Sequence, residues 1–425
     1  MNSQNNKFLV ESLKTLFTRI IGFIAIFYST AILTRTVSLA FLGLFSMVSS
    51  MIEIAVLFAH FGVGPLILKK IGGTNDRTVV KNLYLTEFCG YWAKSILLTI
   101  FIMLMSYPVI GSTSYESYYI EFLIMIASAV FTAVYVFHNY FLNAIGRVWQ
   151  STLSRNTLAS VIFALTLLVY HSYVEITLST FNIALIFIFS RLIAALTSQM
   201  YTNSLIGISF THIVNNRKIQ MEATGQEQKW FFYSQVLDSL SNSGIFFTLS
   251  LLTTATNIGL ITIILKIALP AQVIYTVLQK QAINQISRHI RLNDSRSLLS
   301  LFLKISFLGG IIAILYIIGI AFFLDELLFF FGLTENMISY TQVGLILFGY
   351  AIASVTSIAG PILQMSGMEK KKMIFGTLSL ALQVIVIVIM GFFEFGITGI
   401  CIGLMMGLVL KSSLEFVSAW KVMRG

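Results

Sequence analysis

The sequence is poor in charge, cysteine and proline. Only 10% of its 425 residues are Asp, Glu, Lys or Arg, whereas soluble domains contain about 25%. With 57% of the residues apolar, too few polar side chains remain to cover a water-soluble surface. Two cysteines exclude a disulfide scaffold, and four prolines exclude a proline-rich or collagen-like chain. The composition therefore indicates an all-α polytopic membrane protein.

The sequence contains many long apolar runs. A membrane helix needs about 20 predominantly apolar residues, and twelve such runs can be placed in the chain. They cover residues 16–34, 41–66, 88–110, 121–143, 157–174, 180–206, 231–254, 258–283, 298–324, 337–365, 373–393 and 396–416. The connections between them are short, so no folded soluble domain fits beside the predicted helices.

The basic residues fall on alternate connections between these runs. Of the 27 Lys and Arg residues, 19 lie in the termini or in one set of connections, whereas the opposite set contains Arg35 alone. The positive-inside rule then places both termini in the cytoplasm, with an even number of helices. The net charge of +10 reflects this topology, and we expect no nucleic-acid partner.

Short segments of the first half of the chain recur in the second half. Residues 141–147 are echoed by 362–368, 221 residues later, and residues 42–46 are echoed by 258–262, 216 residues later. Each pair stands at matching places in the topology. This predicts two six-helix lobes related by a pseudo-two-fold axis along the membrane normal.

The repeat defines the predicted domain organisation. We expect an N-terminal lobe at 1–206, a cytoplasmic inter-lobe loop at 207–230 and a C-terminal lobe at 231–425. Two-lobed membrane proteins of this kind expose a central cavity to each side in turn, which favours a transporter. A polymerase or ligase of lipid-linked sugars is the enzyme alternative. Its large outer loop is missing, and no metal-binding, nucleotide-binding or Ser/His/Asp motif is present.

Several glycine-containing motifs resemble a known family. Met365-Ser-Gly-Met-Glu-Lys-Lys-Lys, Phe395-Gly-Ile-Thr-Gly, Phe61-Gly-Val-Gly-Pro and Ile258-Gly-Leu-Ile-Thr are similar to segments of the O-antigen flippases (Wzx-like) of the multidrug/oligosaccharidyl-lipid/polysaccharide (MOP) exporter superfamily. The resemblance implies flipping of undecaprenyl-pyrophosphate-linked O-antigen or polysaccharide repeat units. The units would move by alternating access from the cytoplasmic to the periplasmic leaflet of the bacterial inner membrane.

The resemblance also implies a set of partners. These are the lipid-linked oligosaccharide, membrane lipids and, for lipopolysaccharide biosynthesis, an O-antigen polymerase and a chain-length regulator. A MATE-like multidrug or cation antiporter of the same superfamily is the alternative function. Its substrates favour an acidic cavity, whereas seven Lys and Arg residues lie within the predicted spans. We expect no metal and no organic cofactor, and coupling to H+ or to Na+ remains open.

Three cations within the spans are the predicted substrate-binding residues. Ionisable groups inside the bilayer are costly, so each needs a partner, water or a function. Arg191 and Lys266 lie deep, and Arg19 lies within about two turns of the cytoplasmic face. We predict that they bind the pyrophosphate, because Lys and Arg supply the donors that phosphate oxygens need. The alternatives are snorkelling for Arg19, or ion pairs that only hold the lobes together.

Two acidic residues are predicted to act in coupling or gating. Glu53 lies near the middle of the second span, and Asp238 lies about two turns into the seventh. Either carboxylate would compete with the substrate for the cations. Release of the substrate on protonation of the carboxylate would then couple flipping to a proton gradient.

Polar residues and prolines complete the predicted site. Ser239, Ser241 and Asn242 place hydroxyl and amide groups within two turns of the seventh span, which suits contacts with sugars. Close packing of small residues is the alternative interpretation. Pro270 and Pro361 each lack a backbone donor and are predicted helix hinges, although prolines in membrane helices also form simple bends.

Overall fold

The computed structural model is built from helices. It describes residues 2–64, 67, 77–110, 115–173, 178–207, 229, 232–233, 235–237, 239–240, 245–250, 252–334 and 337–424. Over these residues the chain forms helices joined by turns and loops, with no β-strand. The predicted all-α class is confirmed. Asp238, Ser241 and Asn242 lie outside the described residues.

The chain divides into two compact units, and the first contains Met1–Val37 and Met47–Gln235. Its helices are α1 (Asn2–Thr36), α2 (Leu39–His60), α3 (Arg77–Ile110), α4 (Tyr119–Ala127), α5 (Ala129–Ala144), α6 (Val148–Thr152), α7 (Leu158–Tyr173) and α8 (Thr180–Ile206). A single π-helical turn, Leu153–Thr157, joins α6 to α7 and is called the π segment below.

The second unit contains Ser38–Ser46 and Val236–Gly425. Its helices are α9 (Ile245–Ser250), α10 (Ala255–Arg291), α11 (Ser295–Phe330), α12 (Tyr340–Val355), α13 (Ala359–Met365), α14 (Glu369–Phe392) and α15 (Gly396–Arg424). The first residues of α2 therefore pack in the second unit, whereas the remainder of α2 packs in the first.

Many of these helices are long and apolar enough to cross a membrane. The described part of the chain has 8 such helices, or up to 10 if each of two bent pairs counts as one span. Large apolar side chains face outward on them; Phe307, Phe322 and Phe329 of α11 are 72–76% exposed. Such surfaces suit contact with lipid rather than water. The protein is thus a multi-pass membrane protein, and the number twelve stays a prediction.

Local sequence explains where several helices begin. The side chains of Ser179, Thr254 and Asp294 each accept a hydrogen bond from the backbone N–H three residues later, at the starts of α8, α10 and α11. Ser339 and Gln342 form a reciprocal capping box at the start of α12. These contacts satisfy backbone donors that a helix leaves without partners at its first turn.

The repeated segments end their helices in the same way. Gly146 and Gly367 both adopt a φ of 78°, a left-handed conformation that glycine tolerates without steric cost. After each glycine the backbone N–H donates back to a carbonyl five residues earlier, from Arg147 to Leu142 at 2.8 Å and from Met368 to Leu363 at 2.9 Å. Both ends are Schellman-type caps, so the matching sequences form matching structures.

Equivalent positions of the other repeat touch each other within the second unit. A Cβ atom on Gly43 would collide with the carbonyl oxygen of Ala255, and one on Gly259 would collide with that of Leu39. One turn further along both helices, Thr262 Oγ1 donates to Ser46 Oγ at 2.9 Å. Only glycine permits backbones to approach this closely, so the starts of α2 and α10 are in direct contact.

The two predicted hinge prolines stand in different surroundings. α12 and α13 form a bent pair, with an angle of 44° between them. The turn at 356–358 lies just before Pro361, which is buried in the first turn of α13. α10 instead continues through Pro270. The missing N–H of Pro270 removes the usual helical donor to the carbonyl of Lys266, which loosens that turn without ending the helix.

Candidate functional site

The π segment brings a basic residue against α1 in the first unit. Thr157 Oγ1 donates to the carbonyl oxygen of Thr18 at 2.9 Å, and both residues are buried. This hydrogen bond ties the end of the π segment to the turn of α1 that carries Arg19. Arg155 lies in the middle of the π segment. Single π turns inside helices occur frequently at functional sites.

Two arginines stand close to this contact in the sequence of their helices. Arg19 follows Thr18 on α1 and is half-buried, whereas Arg155 stands two residues before Thr157 and is exposed. Like charges repel more strongly where water is partly excluded. An anion bound between them would turn this repulsion into attraction. Each guanidinium presents a planar set of donors that matches the oxygens of a phosphate.

A third cation, Lys14, lies five residues before Arg19 on α1. Lys14 is exposed, and its Nζ lies 5.9 Å from the centre of the Trp149 ring on α6. Thr18 Oγ1 donates to the carbonyl of Lys14 at 2.7 Å, so both residues lie on one face of α1. We call Lys14, Arg19 and Arg155 the basic site.

Buried hydrogen bonds hold the π segment in place. Asn139 Nδ2 of α5 donates to Ser151 Oγ at 2.7 Å. Ser154 Oγ lies 2.7 Å from Ser198 Oγ of α8 and 3.4 Å from the carbonyl oxygen of Tyr135. The hydroxyl and amide groups are satisfied inside the unit, away from lipid, as polar groups at membrane depth must be. The helix carrying Arg155 is therefore held from α1, α5 and α8.

An aromatic and histidine cluster includes residues of α5, the helix that also hydrogen-bonds to the π segment. His60 Nε2 at the end of α2 is 2.7 Å from the hydroxyl of Tyr91, and its ring centre is 5.1 Å from that of Tyr140. A second histidine, His138, packs against the ring of Tyr84 with the centres 5.7 Å apart. We call His60, Tyr84, Tyr91, His138 and Tyr140 the aromatic cluster. These side chains belong to α2, α3 and α5.

The structure places Arg191 apart from the basic site. Arg191 Nη1 donates to Thr132 Oγ1 at 2.5 Å, and its guanidinium carbon lies 4.1 Å from the centre of the Phe187 ring. Ser198, which contacts the π segment, is seven residues further along α8, or roughly 10 Å along the helix axis. Arg191 therefore has partners of its own within the first unit and does not join Arg19.

The remaining predicted site residues are distributed over both units. Lys266 is half-buried on α10 of the second unit, next to Ile267, whose carbonyl accepts a hydrogen bond from Tyr316 Oη at 2.5 Å. Ser239 is half-buried in the same unit. Glu53 belongs to the first unit, and its side chain is exposed. The roles predicted for these residues stay predictions.

Sequence reasoning missed Arg155 and the aromatic cluster. Arg155 stands two residues before the predicted span at 157–174 and counts there as a loop cation. The π segment that turns it toward α1 depends on hydrogen bonds from three other helices, which have no local sequence signature. His60 and His138 are 78 residues apart in the sequence. Had the search for cations in the membrane been extended by one turn before the span at 157–174, it would have included Arg155 together with Arg19.

Comparison with solved structures relates the fold of this chain to known proteins. An inward-facing multidrug resistance MATE family transporter of the MOP superfamily matches with a TM-score of 0.75 at 14% identity, over 95% of this chain and 94% of that chain. The outward-facing conformation of such a transporter matches with a TM-score of 0.68 at 13% identity, over 98% and 95% of the two chains.

A further neighbour is a MOP superfamily transporter from Pyrococcus furiosus, described as having a binding pocket of reverse polarity that suggests a different function. It matches with a TM-score of 0.72 at 13% identity, over 98% of this chain and 96% of that chain. No protein-family model matches the sequence, and no curated protein matches it either. The chain therefore has the fold of the MATE transporters of the MOP superfamily.

Proposed function

We propose that this protein flips an anionic, lipid-linked oligosaccharide across the bacterial inner membrane by alternating access. The basic site carries the proposal, because the hydrogen bond from Thr157 to Thr18 brings the segments that carry Arg155 and Arg19 side by side in the first unit. A diphosphate bears several negative charges on oxygens that guanidinium groups bind in pairs. Undecaprenyl-pyrophosphate-linked O-antigen repeat units combine such a diphosphate with a membrane-soluble tail.

The polarity of the site favours an anion over a cation. Cationic drugs would meet Lys14, Arg19 and Arg155 and would be repelled, and repulsion between like charges opposes the binding of a wrong ligand. The Pyrococcus furiosus neighbour is a precedent within the same fold for a pocket of reversed polarity. That likeness concerns the fold, and the substrate is inferred from the residues of this chain.

A MATE-like cation antiporter is the second candidate. Its support is the likeness of the fold to multidrug transporters. Such an antiporter needs acidic groups to bind its substrate, and Glu53 is the acidic residue within α2. An O-antigen polymerase or ligase receives less support, because the solved neighbours are transporters.

Complementation tests the proposal directly. A bacterium that lacks its own O-antigen flippase would receive this gene on a low-copy plasmid, together with the matching glycosyltransferases. We expect surface polysaccharide to return. Absence of polysaccharide, with the protein present in the membrane and the lipid-linked precursor accumulating inside, would contradict the proposal. Increased resistance to cationic drugs in the same cells would favour the antiporter instead.

A further inference from the structure

We propose that the second unit contains a binding site for an anionic phospholipid, between the first turn of α14 and the last turns of α15. A cavity of about 340 Å³ lies there. Lys371, Lys421 and Ser418 supply its polar lining, and Phe375 and Val422 are among its apolar residues. This site is distinct from the basic site and does not depend on the proposed transport function.

The position of the cavity matches the depth of a lipid headgroup. α14 and α15 are both candidate membrane spans, and the cavity lies where the apolar part of each gives way to charged residues. Basic pockets between membrane helices at this level bind anionic headgroups. By the positive-inside prediction this end faces the cytoplasm.

The charge at the start of α14 is unusual for a helix. Lys370, Lys371 and Lys372 follow Glu369 in its first turn, where the partial positive charge of the helix disfavours cations. The N-cap residue, Met368, makes no side-chain hydrogen bond to this end. Lys421 approaches from the last turn of α15. A phosphate oxygen in the cavity would compensate for both the lysine charges and the helix end.

An apolar track leads away from the cavity along α14. Ile374, Leu378 and Ile385 are 41%, 50% and 54% exposed, and their spacing of four and seven residues places them on one face of the helix. Ile374 also lines the cavity. An acyl chain attached to the bound headgroup can lie along this face. This track favours a phospholipid over free phosphate as the occupant.

Lipid titration of the whole protein tests the site. The detergent-purified protein would be titrated with phosphatidylglycerol or with phosphatidylcholine, and retained lipid would be counted by native mass spectrometry. We expect preferential retention of phosphatidylglycerol. Each lysine near an anionic headgroup contributes about fivefold in affinity, so the Lys371→Gln/Lys421→Gln variant should bind it roughly twenty-fold more weakly.

Lys370→Gln is the matched control, because Lys370 is exposed on the same turn and does not line the cavity. We expect its affinity to stay within about twofold of wild type. An equal loss in the control would mean diffuse surface charge and would overturn the proposal, as would an unchanged double variant. If glycerol phosphate displaced the lipid at comparable concentration, the acyl track would have no role, and the phospholipid assignment would be wrong.

Discussion

The two units place polar groups differently. In the first unit, buried Thr, Ser and Asn side chains surround the π segment and hold Arg155 near Arg19. In the second unit, α14 and α15 pack mainly through glycines, with a buried hydrogen bond from Ser379 Oγ to the carbonyl oxygen of Gly407 at 2.7 Å. Gly399, Gly403 and Gly407 recur every four residues on α15, and a Cβ on each would press against α14 residues. One fold thus supports a hydrogen-bonded site in one unit and close backbone packing in the other.

This difference suggests a division of labour between the units. Buried hydrogen-bond networks specify one geometry, because each group left without a partner at membrane depth is costly. Small-residue packing stabilises a helix pair without placing charges in it. We therefore expect changes around the π segment to impair substrate handling, and changes on α15 to impair stability.

Removal of either guanidinium should cause the largest loss of transport. Arg19→Gln or Arg155→Gln would remove the charge-assisted hydrogen bonds proposed between the guanidinium and the substrate diphosphate, each of which would contribute about 1.5–3 kcal/mol. We expect roughly ten- to hundredfold less transport in the complemented strain. Arg35→Gln is the matched control, because Arg35 is exposed at the opposite end of α1. Wild-type transport by both site variants at native expression would remove the basic site from the mechanism.

Gly403→Val should reduce stability rather than substrate affinity. A Cβ at Gly403 would lie 2.5 Å from Ile387 Cγ1 and 3.0 Å from the carbonyl oxygen of Gln383. Overpacking of this kind costs about 1–3 kcal/mol, which thermal unfolding in detergent would detect. Gly391→Val on α14 is the control, because nothing lies within 4 Å of a Cβ there. Similar melting temperatures for the two variants would count against close packing of α14 with α15.

Thr157→Val should have a smaller effect on both transport and thermal stability. The change keeps the shape of the side chain and removes the hydrogen bond to the Thr18 carbonyl, for a loss of about 1 kcal/mol. Arg155 would then be positioned less well, and transport should fall by less than in Arg155→Gln. Thr166→Val is the control, because Thr166 is exposed on α7 and bonds only within its own helix. If both threonine variants behaved alike, the π segment would not depend on this contact.

The smallest expected effect is a pH dependence at the start of α11. Hydrogen bonds from Ser297 hold the pKa of Asp294 below its ordinary value, with His289 and Arg296 adding to the effect. A lowered pKa means that the carboxylate stabilises the folded protein above about pH 4, and that this contribution is lost as the pH falls further. Asp294→Asn keeps a good N-cap but does not titrate. Its melting temperature should therefore fall less than that of wild type between about pH 5 and pH 3.

The membrane class and the glycine-terminated helix ends could be predicted from the sequence, because they follow from composition and from backbone constraints. Membrane class follows from the apolar content, because no soluble surface can be built from such a chain. Gly146 and Gly367 were predicted as equivalent, and both form the same helix end, since left-handed turns restrict the residue type. Gly43 and Gly259 were also predicted as equivalent, but their mutual contact needed the structure.

The basic site could be predicted only in part. The inventory of charges within the predicted spans includes Arg19, but grouping it with Arg191 was an inference from charge alone. In the structure Arg191 contacts Thr132 and Phe187. The arginine near Arg19 is Arg155. Single-sequence reasoning has no means to predict a π turn, because the turn depends on contacts with distant helices. Which residues pair across a membrane protein is a tertiary property that the charge inventory does not contain.

Binding of a diphosphate lipid to the purified protein is the most direct test of the basic site. Undecaprenyl diphosphate and undecaprenyl monophosphate would be titrated into wild type, Arg19→Gln/Arg155→Gln and Arg35→Gln. We predict that wild type and Arg35→Gln bind the diphosphate more tightly than the monophosphate, and that the double variant binds it at least about tenfold more weakly. Equal affinity of all three proteins for the diphosphate would contradict the account.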